Sequence, residues 1–238
     1  MLKDIDLEKI LFLDIETVSQ YPNYEQMTDK LKSLWDKKAN YLIKDEQTPA
    51  DVYDKAAIYA EFGKIVTISF GYFRKKNDKT ALFVKSAYSD NEREVLLKFN
   101  RLLDGYFNTE RHYLCAHNGK EFDFPYIARR SLIHGIKVAD ILNTPGAKPW
   151  EIRHLDTLEL WKFGDYKHWT SLDLLTTIFN IPSPKTDIDG SMVGKVYWEE
   201  KNLERISKYC KNDVVAIAQL YLKYINKPLI PQELIFFK

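Results

Sequence analysis

The sequence contains few cysteines and no long apolar run. Two cysteines, Cys115 and Cys210, occur among 238 residues, too few for a disulfide framework, so we expect reduced thiols in a cytoplasmic protein. No apolar stretch approaches the roughly 20 residues that a membrane-spanning helix needs. Residues 1–6 include acids and lack the apolar stretch of a secretory signal. These absences argue against a disulfide-stapled secreted protein and against a membrane-spanning one.

An excess of charge of either sign is also missing. Thirty-five lysines and arginines stand against 34 aspartates and glutamates, a formal net charge of +1. The whole chain therefore does not attract a polyanion such as nucleic acid, and any such attraction must be local or supplied by bound cations. The apolar fraction of 45% is that of a globular protein. Because neither a repeat nor an interdomain linker is visible, we expect a single domain over 1–238.

Strands and helices alternate along the chain. The predicted strands are 10–16, 64–73, 80–84, 113–116 and 153–156. The predicted helices are 92–103, 171–179, 203–224 and one that passes through residues 127 and 133. Ser89 or Asp90 is expected to cap the helix that begins at Glu92. A basic turn after residue 73 predicts a hairpin, and hence an α/β fold with a mixed sheet, while residues 20–60 are expected to be a polar, helical insertion.

Two acids interrupt the first predicted strand. Asp14 and Glu16 are two positions apart, so their side chains project from the same face of the strand. Adjacent carboxylates repel each other and stay ionised only if positive charge lies between them. The alternative is that this end of the strand is simply exposed to water.

The last predicted helix carries another acid beside its apolar stripe. The stripe consists of Leu203, Ile206, Cys210, Val214, Ile217 and Tyr221. Asp213 lies about 60° from Cys210 around the helix, at the margin of the stripe, where an unpaired charge is costly. Tyr209 is one turn earlier on the same face. The alternative explanation for Asp213 is a structural pair with an arginine or with this tyrosine hydroxyl.

A fourth acid lies between the predicted strand 113–116 and the helix that follows it. Asp123 precedes this helix, which has Pro125 in its first turn, and these residues alone favour an ordinary N-cap. Four carboxylates from three separate segments nevertheless predict a site for hard divalent cations, which prefer oxygen ligands. Two such cations about 4 Å apart could activate a water molecule and stabilise the leaving oxygen of a phosphodiester.

Three segments around these acids resemble known motifs: LFLDIETVS at Asp14, HNGKEFDFPYI at Asp123 and YCKNDVVAIAQLYLKY at Asp213. They resemble the three exonuclease motifs of the DEDD superfamily, in particular those of the proofreading domains of family B DNA polymerases and of related stand-alone bacterial proteins. The resemblance spans about residues 10–225 and includes TSLDLL at 170–175. The Tyr-x-x-x-Asp spacing is that of the tyrosine subclass, DEDDy.

The resemblance implies a ribonuclease-H-like fold, with a central mixed β-sheet flanked by α-helices, and a 3′-5′ exonuclease that uses two Mg²⁺ or Mn²⁺ ions. By position, Asp14, Glu16 and Asp213 would hold one ion. Asp14 would bridge to the second ion, which Asp123 would hold through waters. Tyr209 would orient the attacking water. The candidate substrate contacts are Thr17, Asn118, Phe122 and Lys185.

The expected substrate is the 3′ end of single-stranded nucleic acid, DNA rather than RNA, cleaved to nucleoside 5′-monophosphates, with DNA repair as the setting. Two alternatives share the fold: a non-catalytic nucleic-acid-binding module, and an exonuclease directed at RNA or oligonucleotides. A decayed binding module would be expected to have lost carboxylates, and none is missing here.

Two further features of the sequence suggest additional hypotheses. The basic residues that could line a strand-binding groove, or could be ordinary solvated surface, are Lys120, Arg129, Arg130 and Lys185. Segment 228–238 resembles peptides that dock on bacterial sliding clamps, although a tail folded back onto the domain is the favoured explanation. Asp156 fits a strand end or a helix cap and is assigned no chemistry.

Overall fold

The computed structural model describes residues 5–148, 150–165, 169–182 and 187–238. In these residues one sheet contains six strands: β1 (Ile10–Ser19), β2 (Gly63–Lys76), β3 (Lys79–Tyr88), β4 (Tyr113–Ala116), β5 (Leu155–Asp156) and β6 (Ile235–Phe237). Their order across the sheet is β5-β4-β1-β2-β3-β6. The β1–β2 and β2–β3 pairs are antiparallel, whereas the β1–β4, β4–β5 and β3–β6 pairs are parallel. The expected mixed sheet and its hairpin are therefore confirmed.

The described α-helices are α1 (Asp29–Ala39), α2 (Glu92–Tyr106), α3 (Asp123–Ile133), α4 (Thr157–Lys162), α5 (Leu172–Ile178), α6 (Val193–Trp198) and α7 (Leu203–Tyr224). Helix α7 begins and ends where the sequence predicts. The predicted cap of α2 is wrong, because the cap is Asn91, whose side-chain oxygen accepts from the N–H of Arg93. Within the described ranges, no helix combines the length and apolar character needed to cross a bilayer.

The alternation of side chains along β1 separates two cores and directs the acids to one of them. Leu11, Leu13 and Ile15 pack in the core that contains α2 and α3. Ile10 and Phe12 pack on the opposite face, against the apolar stripe of α7. Because side chains alternate along a strand, the even-numbered acids that follow Phe12 also project toward α7.

Residues 20–60 form an insertion that contains less helix than the sequence predicts and has a small core of its own. Apart from α1, its described helical segments are two 3-10 turns, Tyr24–Gln26 and Tyr53–Ile58. Trp35 is fully buried at the centre of this core and donates its indole N–H to the carbonyl of Pro49 at 2.8 Å. The insertion is thus held by aromatic packing as well as by its connection to β1 and β2.

The C-terminal segment folds back onto the sheet. Strand β6 pairs with β3 in parallel, and the ring of Phe236 stacks on that of Phe83 at a centroid distance of 5.2 Å. Ile235 is buried against the same core as α7, whereas Phe237 is exposed. The tail therefore supplies an edge strand of the sheet.

The two phenylalanines of β6 form a matched pair for testing this packing. Phe236→Ala removes the stacked ring, so we expect it to lower the free energy of unfolding by about 1 to 2 kcal/mol. Phe237→Ala, at a side chain that is 45% exposed, should change it by less than about 0.5 kcal/mol. Urea denaturation of both variants measures the difference. Equal effects would show that β6 is not held by this contact.

Candidate active site

Strand β1 and helix α7 bring Asp14 and Glu16 together with a thiol. One carboxylate oxygen of each acid and Sγ of Cys210 all lie within 4.8 Å of one another. Glu16 is only 8% exposed, which rules out the alternative of a strand end open to water. Cys210, assigned from the sequence to the apolar stripe of α7, donates its S–H to the main-chain oxygen of Asp14 at 3.3 Å.

Asp123 reaches β1 because β4 is short. The parallel pairing of β4 with β1 covers only residues 10–12 of β1, so the edge of β1 beyond Phe12 is open on that side. There the N–H of Ile15 donates to Oδ1 of Asp123 at 3.1 Å. The N-cap explanation is wrong: Asp123 is the first residue of α3, and Phe122 occupies the cap position without a side-chain hydrogen bond.

Tyr209 and Asp213 lie one turn apart on α7, and the tyrosine hydroxyl lowers the pKa of the carboxylate. This interaction accounts for part of the structural alternative considered for Asp213. The arginine alternative is not realised, since no described arginine forms an ion pair with Asp213. Burial is the larger influence and raises the pKa of Asp213 to about 6.

The four carboxylates repel one another. The pKa values of Asp14 and Glu16 are raised well above their usual range, first by burial and then by the charges of the neighbouring acids, including Asp213 and Asp123. Burial is also the main reason that the pKa of Asp123 is raised to about 7. Among the described residues no lysine, arginine or histidine pairs with any of the four acids.

One oxygen of this cluster has no partner. Oδ2 of Asp14 is buried and forms no hydrogen bond, and leaving such an atom unpaired costs free energy. An uncompensated group of buried oxygen atoms fits the preference of hard divalent cations. The residues present therefore suit a divalent cation and leave no described basic side chain to take its place.

Asp156 organises the segment that leads to Asp123, a role that the sequence did not reveal. Its carboxylate caps α4 by accepting from the N–H of Leu158, as a helix cap would. The same carboxylate accepts from the N–H of Asn118 at 2.9 Å and of Lys120 at 3.0 Å. Asn118 has a positive φ of 61°, a conformation that asparagine tolerates better than most residues. One buried side chain thus fixes both a helix start and a strained loop.

His117 holds the beginning of the same loop. Its Nε2 lies 2.9 Å from the carbonyl oxygen of Thr170, which can only accept, so Nε2 carries the proton. Nδ1 then accepts from the hydroxyl of Thr157 at 2.9 Å. Burial lowers the pKa of His117, which is consistent with this neutral form.

Asp156→Ala should destabilise the protein, because several backbone N–H groups lose the carboxylate that accepts their hydrogen bonds. We expect the free energy of unfolding to fall by about 2 to 3 kcal/mol, from the lost cap and the unsatisfied N–H groups together. Ser171→Ala, which removes the N-cap of α5 without touching this loop, should cost only about 1 kcal/mol. Chemical denaturation compares them, and similar losses for the two variants would contradict the anchoring role of Asp156.

A cleft of about 970 Å³ opens beside Glu16. Its lining comes from β1, from the 20–60 insertion, from the segment before α3 and from α6. Two of the candidate substrate contacts, Thr17 and Phe122, line it. Asn118 does not line it, and Lys185 lies outside the described residues.

Of the four basic residues considered for a strand-binding groove, the three that the structure describes do not line the cleft. Arg130 is buried and forms an ion pair with Glu92 at 2.5 Å, so it is part of the core. Lys120 forms an ion pair with Glu159 at 2.7 Å. Arg129 is exposed, but it does not line the cleft.

A mixed sheet flanked by helices, with acids of its central strand facing the last long helix, defines a protein of the ribonuclease-H-like class, and the fold expected from the motifs is confirmed. Within that class the chain belongs to a family described as a predicted 3′-5′ exonuclease related to the exonuclease domain of PolB, which matches residues 55–228. The matched range contains Asp123, Tyr209 and Asp213 and begins after Asp14 and Glu16.

Similar proteins include two archaeal DNA polymerases. The chain is 23% identical over 209 residues to a DNA polymerase of Pyrococcus horikoshii, covering 76% of this chain and 16% of the polymerase. It is 24% identical over 197 residues to one of Pyrococcus glycovorans, covering 74% of this chain and 25% of the polymerase. The structure of the family B DNA polymerase of Pyrobaculum calidifontis shares the fold, with a TM-score of 0.51 and 16% identity over 90% of this chain and 24% of that one. The chain thus spans a quarter or less of these relatives.

Proposed function

We propose that this chain is a metal-dependent 3′-5′ exonuclease that hydrolyses the terminal phosphodiester bond of single-stranded nucleic acid and releases nucleoside 5′-monophosphates. The observation that carries the proposal is the convergence of four carboxylates, unpaired with any described cationic side chain, from β1, α3 and α7. Membership of an exonuclease-related family supports the same reaction class. DNA is the proposed substrate because the similar proteins are DNA polymerases.

The residues proposed to hold divalent cations are the four acids. Asp14, Glu16 and Asp213 would hold one cation, and Asp14 and Asp123 would hold a second. Two Mg²⁺ or Mn²⁺ ions bound there would supply a more nucleophilic water and stabilise charge on the leaving oxygen. The chain itself keeps the carboxylates close and buried, so that their charge is concentrated where phosphate must approach.

Bound cations would also supply the attraction for phosphate that the cleft lacks. Its charged lining consists of Glu16, Glu25, Asp51, Asp54, Glu199, Lys55 and Lys195. This excess of acids would repel a phosphate chain unless cations offset it. The aromatic rings of Phe122 and Trp198 in the same lining are proposed to contact bases, which every nucleotide presents as a flat surface.

Tyr209 is proposed to orient the attacking water. Burial and the neighbouring carboxylates raise the pKa of its hydroxyl far above neutrality, so the hydroxyl keeps its proton and acts as a hydrogen-bond donor. Asp213, one turn later on the same helix, interacts with this hydroxyl. A tyrosine in this state can position water but cannot serve as a general base.

Tyr209→Phe should therefore slow cleavage without abolishing it, by about 10- to 100-fold. Tyr221 provides a matched control on the same helix, since its buried hydroxyl has no hydrogen-bond partner. Tyr221→Phe should leave the rate unchanged. Steady-state cleavage assays measure both, and a Tyr209→Phe rate equal to that of Tyr221→Phe would contradict the orienting role.

Digestion of a 5′-labelled strand tests the proposed function directly. Single-stranded DNA and RNA of one sequence are incubated with Mg²⁺, with Mn²⁺ or with a chelator. A ladder that shortens from the 3′ end, faster on DNA and absent with chelator, is expected. Binding without shortening would favour the non-catalytic module, and faster shortening of RNA would favour the RNA-directed nuclease.

A cytoplasmic location and docking of segment 228–238 on a sliding clamp are two further hypotheses of this proposal. Two free, buried thiols are consistent with a reducing cytoplasmic compartment. Docking on a sliding clamp would require β6 to leave the sheet, because Ile235 and Phe236 are engaged there. Truncation after Pro228 tests docking, and unchanged capture by the clamp would remove that hypothesis.

A further inference from the structure

Cys210 adds a sulfur ligand to the acidic cluster, whereas hard divalent cations prefer oxygen ligands. Its Sγ, one oxygen of Asp14 and one oxygen of Glu16 form a set within 4.8 Å. The thiol is fully buried between α7 and β1. No described residue donates a hydrogen bond to the Glu16 carboxylate, although Glu16 is more than nine-tenths buried. The sulfur therefore lies beside a buried carboxylate that has no described hydrogen-bond donor.

We propose that this set is a binding site for a thiophilic divalent cation, Zn²⁺ in the cell and Cd²⁺ as its probe, held by Cys210, Asp14 and Glu16. Zinc accepts both thiolate and carboxylate ligands; the thiolate selects for such a cation, which a given site also binds more tightly than Mn²⁺. On binding, the thiol loses its proton to solvent as the sulfur–metal bond forms, and its hydrogen bond to the main-chain oxygen of Asp14 is given up.

The distances are compatible with one shared ion. In a tetrahedral site, zinc–sulfur and zinc–oxygen bonds of about 2.3 and 2.1 Å place two donors of one ion roughly 3.4 to 3.6 Å apart. The three donor atoms lie within 4.8 Å of one another, so closing around one ion requires side-chain rotations that move them by at most about 1.4 Å. Asp123 and Asp213 are not part of this tight set among the described residues.

The consequence for activity rests on the proposed function. Because Asp14 and Glu16 would be shared, a thiophilic cation would exclude the hard cations that the proposed reaction needs. Zinc would then inhibit the nuclease at concentrations far below those of Mg²⁺, and the inhibition would depend on the sulfur.

Cadmium titration of the chelator-treated full chain tests the binding site without reference to activity. Wild-type protein should develop the ultraviolet charge-transfer absorption of a thiolate–cadmium bond. Cys210→Ser should lose this absorption, whereas Cys115→Ser, which removes the other buried thiol, should retain it. Absence of the band in wild type, or its loss in Cys115→Ser alone, would overturn the proposal.

Glu16→Gln keeps both thiols and so covers the case in which Cys210→Ser does not fold. We expect its cadmium affinity to fall at least about tenfold, since even an outer hydrogen-bond partner contributes that much to metal sites. Unchanged affinity would also overturn the proposal.

In the nuclease assay, the rate of each variant is expressed as a fraction of its own rate without zinc. The zinc concentration that halves this rate should be at least about tenfold higher for Cys210→Ser than for wild type. A cadmium band without nuclease activity would contradict only the proposed function, and activity without the band only the thiophilic site.

Discussion

Asp14→Asn should lower metal-dependent cleavage at least about 1,000-fold, which corresponds to about 4 kcal/mol of lost transition-state stabilisation. The substitution keeps the shape of the side chain and removes the charge at the centre of the cluster. Asp14→Ala and Asp213→Ala should have comparable effects. The rate is measured on a 5′-labelled single strand under saturating Mg²⁺ or Mn²⁺.

The same substitution should leave the fold intact. The hydrogen bond from Cys210 ends on the main-chain oxygen of Asp14, and no described residue depends on the carboxylate for an ion pair. Asp104→Asn, on an exposed position of α2, serves as the control and should keep the wild-type rate. Well-folded Asp14→Asn protein that cleaves at the wild-type rate would refute the assignment of the acids to catalysis.

The convergence of the acids could be predicted only in part from periodicity. Strand alternation correctly indicates that Asp14 and Glu16 share a face, and helical spacing correctly puts Asp213 at the margin of the α7 stripe. Neither pattern says which face of β1 meets α7. That pairing depends on Phe12 packing against the α7 stripe, a contact between residues about 200 positions apart.

Asp123 and Asp156 show what the neighbouring sequence can and cannot predict about the hydrogen bonds of a carboxylate. Asp123 is next to a helix with Pro125 in its first turn and therefore has the local sequence of an N-cap. Its carboxylate instead accepts from the N–H of Ile15, at the open edge of β1 and more than 100 residues away. Asp156 does cap a helix, and its remaining acceptor capacity goes to the loop before α3. A local pattern identifies one hydrogen bond of a carboxylate, while the fold decides where the other lone pairs are used.

The acids beside the Cys210 thiol and the core inside the 20–60 insertion could not be predicted, because buried contacts give ambiguous patterns. A cysteine in an apolar stripe is usually a small core residue, and only the approach of β1 places acids beside it. Residues 20–60 have polar composition, but a few aromatic side chains are enough to form a core around Trp35. In both cases the deciding neighbours come from other segments of the chain.

The metal-free protein should lose stability as the pH rises from about 4 to about 7. Burial raises the pKa of Asp123 from 3.8 to about 7 and that of Asp213 from 3.8 to about 6. In this window the folded protein retains protons that the unfolded chain releases, so the free energy of unfolding falls with increasing pH. The stabilisation is complete below the unfolded pKa and is lost once the pH exceeds the folded pKa.

Asp123→Asn isolates one part of this effect. Asparagine keeps the side-chain oxygen that accepts from Ile15 but cannot ionise, so the variant should lack the contribution of Asp123. Between pH of about 4 and about 8, its stability relative to wild type should increase by on the order of 4 kcal/mol. Urea denaturation in chelator across this range measures the difference, with Asp104→Asn expected to follow wild type.

Saturating Mn²⁺ should reduce the loss of stability of the wild type at high pH, because bound cations offset the repulsion between the acids. Parallel pH profiles for wild type and Asp123→Asn would mean that Asp123 is not destabilised in the fold, and the need for cations at this site would then lose its electrostatic basis.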